Sequence, residues 1–407
     1  MASIGWIDFS QSHRKKVLAV MDLYKERGMV DEMGLGTVRD AFSDLIFPGT
    51  STLHTRAKYF VLIPQLIKDL ESQNIKSVDF TRTLIRAEKK MIYSLMNGSR
   101  SHDGIIGQKS REELKRTPST IYWNGLRRWG ILSKYFTGSV NDYGRQLGAK
   151  HKKRKYAGYE EYGDDNKDDK DAQTFDELFW WNQIPMPEPG WKEKLNIRLT
   201  KTEAVFLERQ VLANCQGSLL CFILEHNFNN LDGFHGIHDF INQTNISEDL
   251  NNILKVATDF DFIMKGAVIR YNLLVQQQRY EGDVERWELV WKKWNQDRKK
   301  KKKKLGTSNA VWAILPYIGN HTKQFVNDWY KEISKNELEI NEITKLVKSR
   351  ELMLKKPRRS RLENKDKAQK TTYDVGITVH QDLSTRYLDY RWGISKNLLQ
   401  DIFNSLD

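Results

Sequence analysis

Apolar residues recur at helical spacing along almost the whole chain. Val17, Met21 and Tyr24 share one face, and Val38, Ala41, Phe42 and Leu45 repeat the i, i+3, i+4, i+7 stripe before Pro48-Gly49 stops it. A third segment carries Phe60, Ile63, Ile67 and Leu70, with Pro64 inside it predicting a kink or a new start. Asp79 stands as the N-cap of a helix whose core face is Phe80, Leu84, Ala87, Met91 and Leu95 and which Asn97-Gly98 ends. Alternating patterns are few and only 8 prolines interrupt the chain, so the pattern predicts a mainly α, multidomain protein.

Two caps follow in close succession. Ser110 and Glu113 are spaced as a capping box for a short helix ending near Lys115, and Thr117-Pro118 supplies an N-cap and an N1 proline for the next. In that second helix Ile121, Tyr122, Leu126 and Trp129 point one way. Thr120, Asn124, Arg127 and Arg128 fall on the other face before Gly130 closes it. The arrangement resembles a helix-turn-helix or a winged helix, with Ile131 to Phe136 as the expected following strand. Asn and Arg side chains can pair bidentately with adenine and guanine edges, and Lys109, Arg111, Lys115 and Arg116 would meet phosphates beside them.

Further on, Thr200 and Glu203 cap one helix, Ser218 to Phe228 forms an apolar one, and Ser247 opens a long one with Leu250, Leu254, Ala257, Met264 and Ala267 near a single face. Trp287, Trp291 and Trp294 recur at i, i+4 and i+7. Such a stripe is first a core stripe, although aromatics beside a cationic path can also stack bases. A helix is expected over 336–354, and the apolar residues of 373–407 predict a docked final helix or helix pair. The expected divisions are an N-terminal helical unit at 1–75, a helix-turn-helix or winged-helix-like unit at 76–150, a charged linker at 151–172, and a C-terminal helical domain with polybasic loops at 173–407.

Charge sharpens this picture. Against 53 acidic residues stand 66 basic ones, giving a formal charge of +13 that favours polyanionic partners. The excess gathers in three runs. Lys150, Lys152, Lys153, Arg154 and Lys155 form the first, and Arg298, Lys299, Lys300, Lys301, Lys302, Lys303 and Lys304 the second. Lys355, Lys356, Arg358, Arg359 and Arg361 form the third, and all three are expected to contact phosphates. The acidic 160–169 block after the first run reads as solvated linker. The opening residues lack a signal core and no apolar run reaches membrane-helix length, so a cytoplasmic protein without a membrane partner is expected.

Chemistry is less visible. Phosphate-loop, nucleophile-elbow and H-E-x-x-H patterns do not occur, and Gly34-Leu35-Gly36 is an incomplete dinucleotide fingerprint. Ser101-His102-Asp103 are sequence neighbours, which seldom form a triad. His226, His235 and His238 with Asp232 and Asp239 read as loop and cap residues, and Cys215 and Cys221 lack a zinc spacing. Neither cofactor nor metal is expected.

Gly5-Trp6-Ile7-Asp8-Phe9-Ser10, the segment from Gly34 to Phe42, Phe47-Pro48-Gly49-Thr50-Ser51-Thr52 and Arg56-Ala57-Lys58-Tyr59-Phe60 resemble the opening of a bacterial protein family of about this length without assigned activity. Ile121-Tyr122-Trp123, Arg127-Arg128-Trp129-Gly130 and Leu388-Asp389-Tyr390-Arg391-Trp392 resemble its other hallmarks. The resemblance implies a component of antiphage defence clusters beside helicase-like and phospholipase-D-like nuclease genes. With the basic runs and the wet face of the helix after Thr117, the function expected is a non-catalytic DNA-binding subunit of such a complex, acting with helicase-like and nuclease-like partners. Two rival classes are a metal-dependent nuclease with scattered acids and a scaffold without DNA affinity, docked through the Gly34 to Phe60 segment by Arg39, Asp40, Arg56 and Lys58.

Overall fold

A computed structural model describes residues 31–73, 75–147, 180–181, 183–193, 195–301, 305–370, 377–379 and 385–406. The stripe at Val17, the first basic run, the acidic block and Lys302, Lys303 and Lys304 lie outside them. The protein is mainly helical. It divides into two compact units built from discontinuous stretches: Met1–Ala41 with Lys255–Leu388, and Phe42–Leu254 with Asp389–Asp407.

The N-terminal stripe folds as α1 (Gly36–Ile46). The unit containing Phe42 is organised around α2 (Tyr59–Ser72), which buries residues on every side from Tyr59 to Ile67 and runs on through Pro64. Against it pack α3 (Ser77–Gly98) and α4 (Pro118–Arg128). α3 begins two residues before Asp79, so Asp79 lies in the first helical turn, where a carboxylate complements the exposed N–H groups. α5 (140–147) follows. α6 (Lys201–Asn214) carries the expected capping box: Thr200 Oγ1 accepts from Glu203 N, and Glu203 Oε2 accepts from Thr200 N at 2.8 Å. α7 (Leu219–Glu225) comes next, and the closing α14 (Trp392–Leu406) packs on α6 and α7 with Leu398, Leu399, Ile402 and Phe403 buried.

Gly125 explains how α4 lies so close to α2. A Cβ there would stand 2.6 Å from the Gly49 carbonyl oxygen and 2.7 Å from the Phe60 ring. Alanine normally favours a helix over glycine by about 1 kcal/mol. Gly125→Ala is nevertheless expected to destabilise this unit, by about 1–3 kcal/mol, because the overlap forces backbone apart. A urea-unfolding midpoint at or above that of the parent would remove this account.

The other unit is built on α8 (Glu248–Gln278), α9 (Val284–Lys301), α10 (Ser308–Ile314), α11 (Asn320–Ile333), α12 (Ile340–Lys355) and α13 (Lys365–Gln369). Ser247 Oγ caps α8 at Leu250 N, and the five expected face residues of α8 are all buried. β1 (Thr378–Val379) and β2 (Thr385–Arg386) form one antiparallel pair. Trp287 and Trp294 sit in the core, where Trp294 Nε1 donates to the Phe262 carbonyl at 3.0 Å and its ring faces Trp329. Core packing therefore accounts for these two rings.

Candidate nucleic-acid interface

The expected recognition helix exists, as α4, but its surroundings differ from a helix-turn-helix. Ser110 makes no side-chain cap, and the residues before α4 form only a 3-10 turn, Arg111–Glu113, in which Arg111 has a φ of 43°. Residues 131–136 form no strand, and Leu132 alone bridges Trp181. The capping pattern predicted a short helix ending near Lys115, and only this turn forms there. Three residues are too few to make an independent helix.

What seats α4 is a carboxylate from α3. Glu88, fully buried, accepts from Ser119 N at 2.6 Å and from Ser119 Oγ at 3.0 Å, and so satisfies an N-terminal amide of α4. Burial pushes the Glu88 carboxyl up to about 7 against the pull of these hydrogen bonds. On the buried face Tyr122 stacks on His54 at 4.1 Å, and Trp129 stacks on Phe60 at 3.8 Å. Burial drives the His54 imidazole down to about 3. Its Nε2 lies 3.3 Å from the Ile121 carbonyl, and Nδ1 has no hydrogen-bond partner among the described residues.

The opposite face of α4 is wet, as its sequence requires. Thr120, Asn124 and Arg128 are exposed at i, i+4 and i+8, so they line one stripe. Thr120 Oγ1 is turned back onto the Thr117 carbonyl at 2.7 Å, and Arg127 is half-buried and donates to the Thr137 carbonyl at 3.1 Å. Asn124 and Arg128 remain the outward pair. Lys109, Arg111 and Lys115 are exposed and Arg116 is half-buried. Lys134 reaches over the ring of the exposed Tyr135.

A second cationic surface was not singled out from the sequence. Along the outward side of α3 runs a groove of about 1150 Å³ lined by Arg82, Arg86, Lys89 and Lys90, with Lys192 across from them and Glu112 and Glu193 as its acids. Its apolar lining includes Leu66, Leu70, Ile85, Met91, Trp191 and Leu195. Val78 is 85% exposed there and Ile85 36%. Arg82 pairs with Asp79, Lys192 with Asp69, and Lys89 with Glu112 at 4.0 Å. The i, i+4, i+8 spacing of Arg82, Arg86 and Lys90 was legible, but the apolar stripe of the same helix drew the reading to its other face.

Among the described residues, two of the basic runs are divided between cations held inside the protein and cations that face solvent. Arg298 is 0% exposed, and its guanidinium holds the carbonyls of Ile333, Lys335 and Asn336 at 2.6, 2.8 and 3.1 Å while Nε donates to Asn295 Oδ1. That takes Arg298 out of the expected phosphate-binding set. Lys299 pairs with Glu337 at 2.9 Å, Lys300 lies 3.8 Å from Asp297, and Lys301 covers the Phe262 ring at 4.6 Å. In the third run Lys355 pairs with Glu32 and Glu351, and Arg361 reaches Glu32 at 2.7 Å. Glu351 also accepts from Ser360 Oγ, from the Leu362 and Arg361 amides, and from Tyr271 OH at 2.8 Å. Lys355 and Arg361 are therefore structural cations, because buried carboxylates need charge partners. Lys356, Arg358 and Arg359 stay exposed.

Of the residues expected to dock a partner, Lys58 is buried and Arg39, Asp40 and Arg56 are half-buried. Arg56 grips Asp401 through Nε and Nη2, at 2.9 and 2.6 Å, and the buried Lys58 meets Glu203 at 2.6 Å. Arg39 pairs with Asp40 at 3.0 Å. The hallmark Arg391 donates to Asp44 and to the Thr50 carbonyl. Ser101 bonds Asp103 and His102 bonds the Met96 carbonyl, so this trio forms no relay. Asp239 caps the amides of His235 and Gly236. Among the described residues no group of three or more His, Cys, Asp or Glu is arranged to hold a metal, and no helix is long and apolar enough to cross a membrane.

The model of a family of unknown function, DUF6361, matches residues 1–283. No curated protein and no solved structure matches the chain.

Proposed function

Because that match covers the larger part of the chain, the chain belongs to DUF6361, and we propose that it is a DNA-binding protein that contributes a binding surface rather than a reaction. The observation that carries this reading is the α3 groove, where five cations, three of them in ion pairs with Asp79, Asp69 and Glu112, line exposed apolar surface. Nucleic acid is the ligand that needs both cations in a row and apolar or aromatic surface beside them. Arg128 of α4, beside the outward amide of Asn124, and the exposed Lys356, Arg358 and Arg359 add positive surface to their own units. In the setting implied by the family resemblance, the protein would hold DNA for helicase-like and nuclease-like partners in antiphage defence.

The test is a fluorescence-anisotropy titration with labelled DNA over a salt series. Binding is expected to weaken steeply with salt, with a slope of about 0.7 to 0.9 per phosphate contact. Asn124→Ala with Arg128→Ala is expected to weaken duplex binding about tenfold if α4 touches bases, since one bidentate pair contributes about 1–3 kcal/mol. Absence of binding at low salt sinks the DNA reading. Strand scission by the purified protein with added divalent metal would replace it with the nuclease reading.

A further inference from the structure

We infer that the α3 groove takes single-stranded nucleic acid, its phosphates along Arg82, Arg86 and Lys90 and its bases against Ile85 and Trp191. This rests on the nucleic-acid reading above and names the form of the ligand. Residues four apart on a helix are separated by about 6 Å along its axis. That repeat is comparable with the spacing of successive phosphates on an extended strand, so the three cations form a ladder that one backbone can follow. Arg86 and Lys90 are exposed and make no ion pair among the described residues. Arg82 pairs with Asp79 and Lys192 with Asp69, both at the surface, and Lys192 also lies over the Trp191 ring. Such surface pairs contribute little, so a phosphate can take their place.

The apolar surface decides between one strand and two. Val78 is 85% exposed, Ile85 36%, and Trp191 is half-buried with Lys192 beside its ring. A duplex keeps its base faces stacked inside and presents nothing to this surface. A single strand presents them, and base–aromatic stacking is how such strands are held without sequence preference. At about 1150 Å³ the groove also exceeds the roughly 300–1000 Å³ of pockets built for small molecules. Thr83 and Ser94 interrupt its lining, so the apolar stripe is not the continuous one that an amphipathic partner helix needs.

The full chain is titrated with labelled oligothymidylate, oligouridylate and a DNA duplex of matching length, across a salt series. Oligothymidylate is expected to bind at least about tenfold more tightly than the duplex at equal salt, and the oligouridylate arm tells whether RNA is taken equally. Arg86→Ala with Lys90→Ala should weaken the strand about tenfold or more and lower the salt slope by about 1.4, two contacts at roughly 0.7 each. Trp191→Leu should weaken binding about fivefold or more at unchanged slope, with Trp191→Phe restoring it, a pattern that general loss of folding cannot give. If the duplex binds as tightly and the groove variants change neither ligand, this inference is overturned while DNA binding stands. If no oligonucleotide binds, both fall. Displacement of the strand by an acidic amphipathic peptide that binds more tightly would give the groove to a protein partner and also overturn the inference.

Discussion

Arg298→Ala is expected to destabilise the unit containing α9 and α11 by about 4 kcal/mol, among the largest single-residue effects in the chain. The alanine leaves the carbonyls of Ile333, Lys335 and Asn336 without their shared donor in a fully buried setting. Each unsatisfied buried polar group costs about 1–3 kcal/mol, and relaxation with water entry recovers part of the sum. Ile333 is the last residue of α11, so one of the three is a helix-terminal carbonyl that has no partner within its own helix. Arg298→Lys is expected to recover less than half. An ammonium is a point donor and cannot span three carbonyls as a planar guanidinium fork does. Hydrogen exchange provides the measurement, with the amides of α11 and of 334–337 losing protection first. Unchanged protection in the alanine variant would show that the clamp contributes nothing.

The second large effect is a pair of opposed pH dependences within the other unit. Glu88 holds its proton up to about 7 when folded, against 4.5 ordinarily, because burial outweighs the bonds from Ser119. Its contribution to stability is therefore complete below about pH 4.5 and is lost as pH rises through 7, amounting to about 3 kcal/mol. His54 runs the other way. Its imidazole is held neutral down to about 3 against 6.5 ordinarily, chiefly by burial, with the charge of Arg391 adding to it. The stability it lends is complete above 6.5 and is lost as pH falls toward 3, about 5 kcal/mol over the full window.

Between pH 4.5 and 6.5 the two contributions have opposite slopes of about 1.4 kcal/mol per pH unit and cancel. Removing either one exposes the other. Relative to the parent, Glu88→Gln is expected to lose stability as pH falls across that window, by about 3 kcal/mol, and His54→Phe to gain a similar amount. Urea unfolding followed at several pH values gives both difference curves, in which the remaining titrating groups subtract out. Parallel curves for parent and variants would mean that neither group changes its proton affinity on folding. These two side chains flank α4, Glu88 at its N-terminal amide and His54 against Tyr122, so the same measurement reports how firmly the Asn124 and Arg128 stripe is seated.

The helices were legible because their signals are local. Thr200 with Glu203, Pro118 at the start of α4, the α8 stripe and the tryptophans of α9 each lie within a few turns, and backbone geometry converts that spacing directly into helix starts and faces. The same logic fixed which side of α4 is wet. It failed where a short element depended on its neighbours, as in the single 3-10 turn after Ser110 and the absent strand at 131–136. The compact units, each joining stretches far apart in the chain, were beyond a reading that proceeds from one end to the other.

Charge was the least legible property. A run of lysines and arginines looks alike in sequence whether its members face water or a buried acid. Only folding brought Glu32 and Glu351 to Lys355 and Arg361, and the α11 carbonyls to Arg298, leaving Lys356, Arg358 and Arg359 outward from the same stretch. Likewise the α3 groove needs Trp191 and Lys192 brought opposite Arg82, Arg86 and Lys90 from about a hundred residues away. The sequence by itself determined the helical class, the caps at Thr200 and Ser247 and most buried faces, because hydrophobic periodicity and capping act over a few residues. The tertiary structure decided which cations are free to meet a polyanion, because a charge's partner is set by distance in space and by the cost of leaving it buried alone.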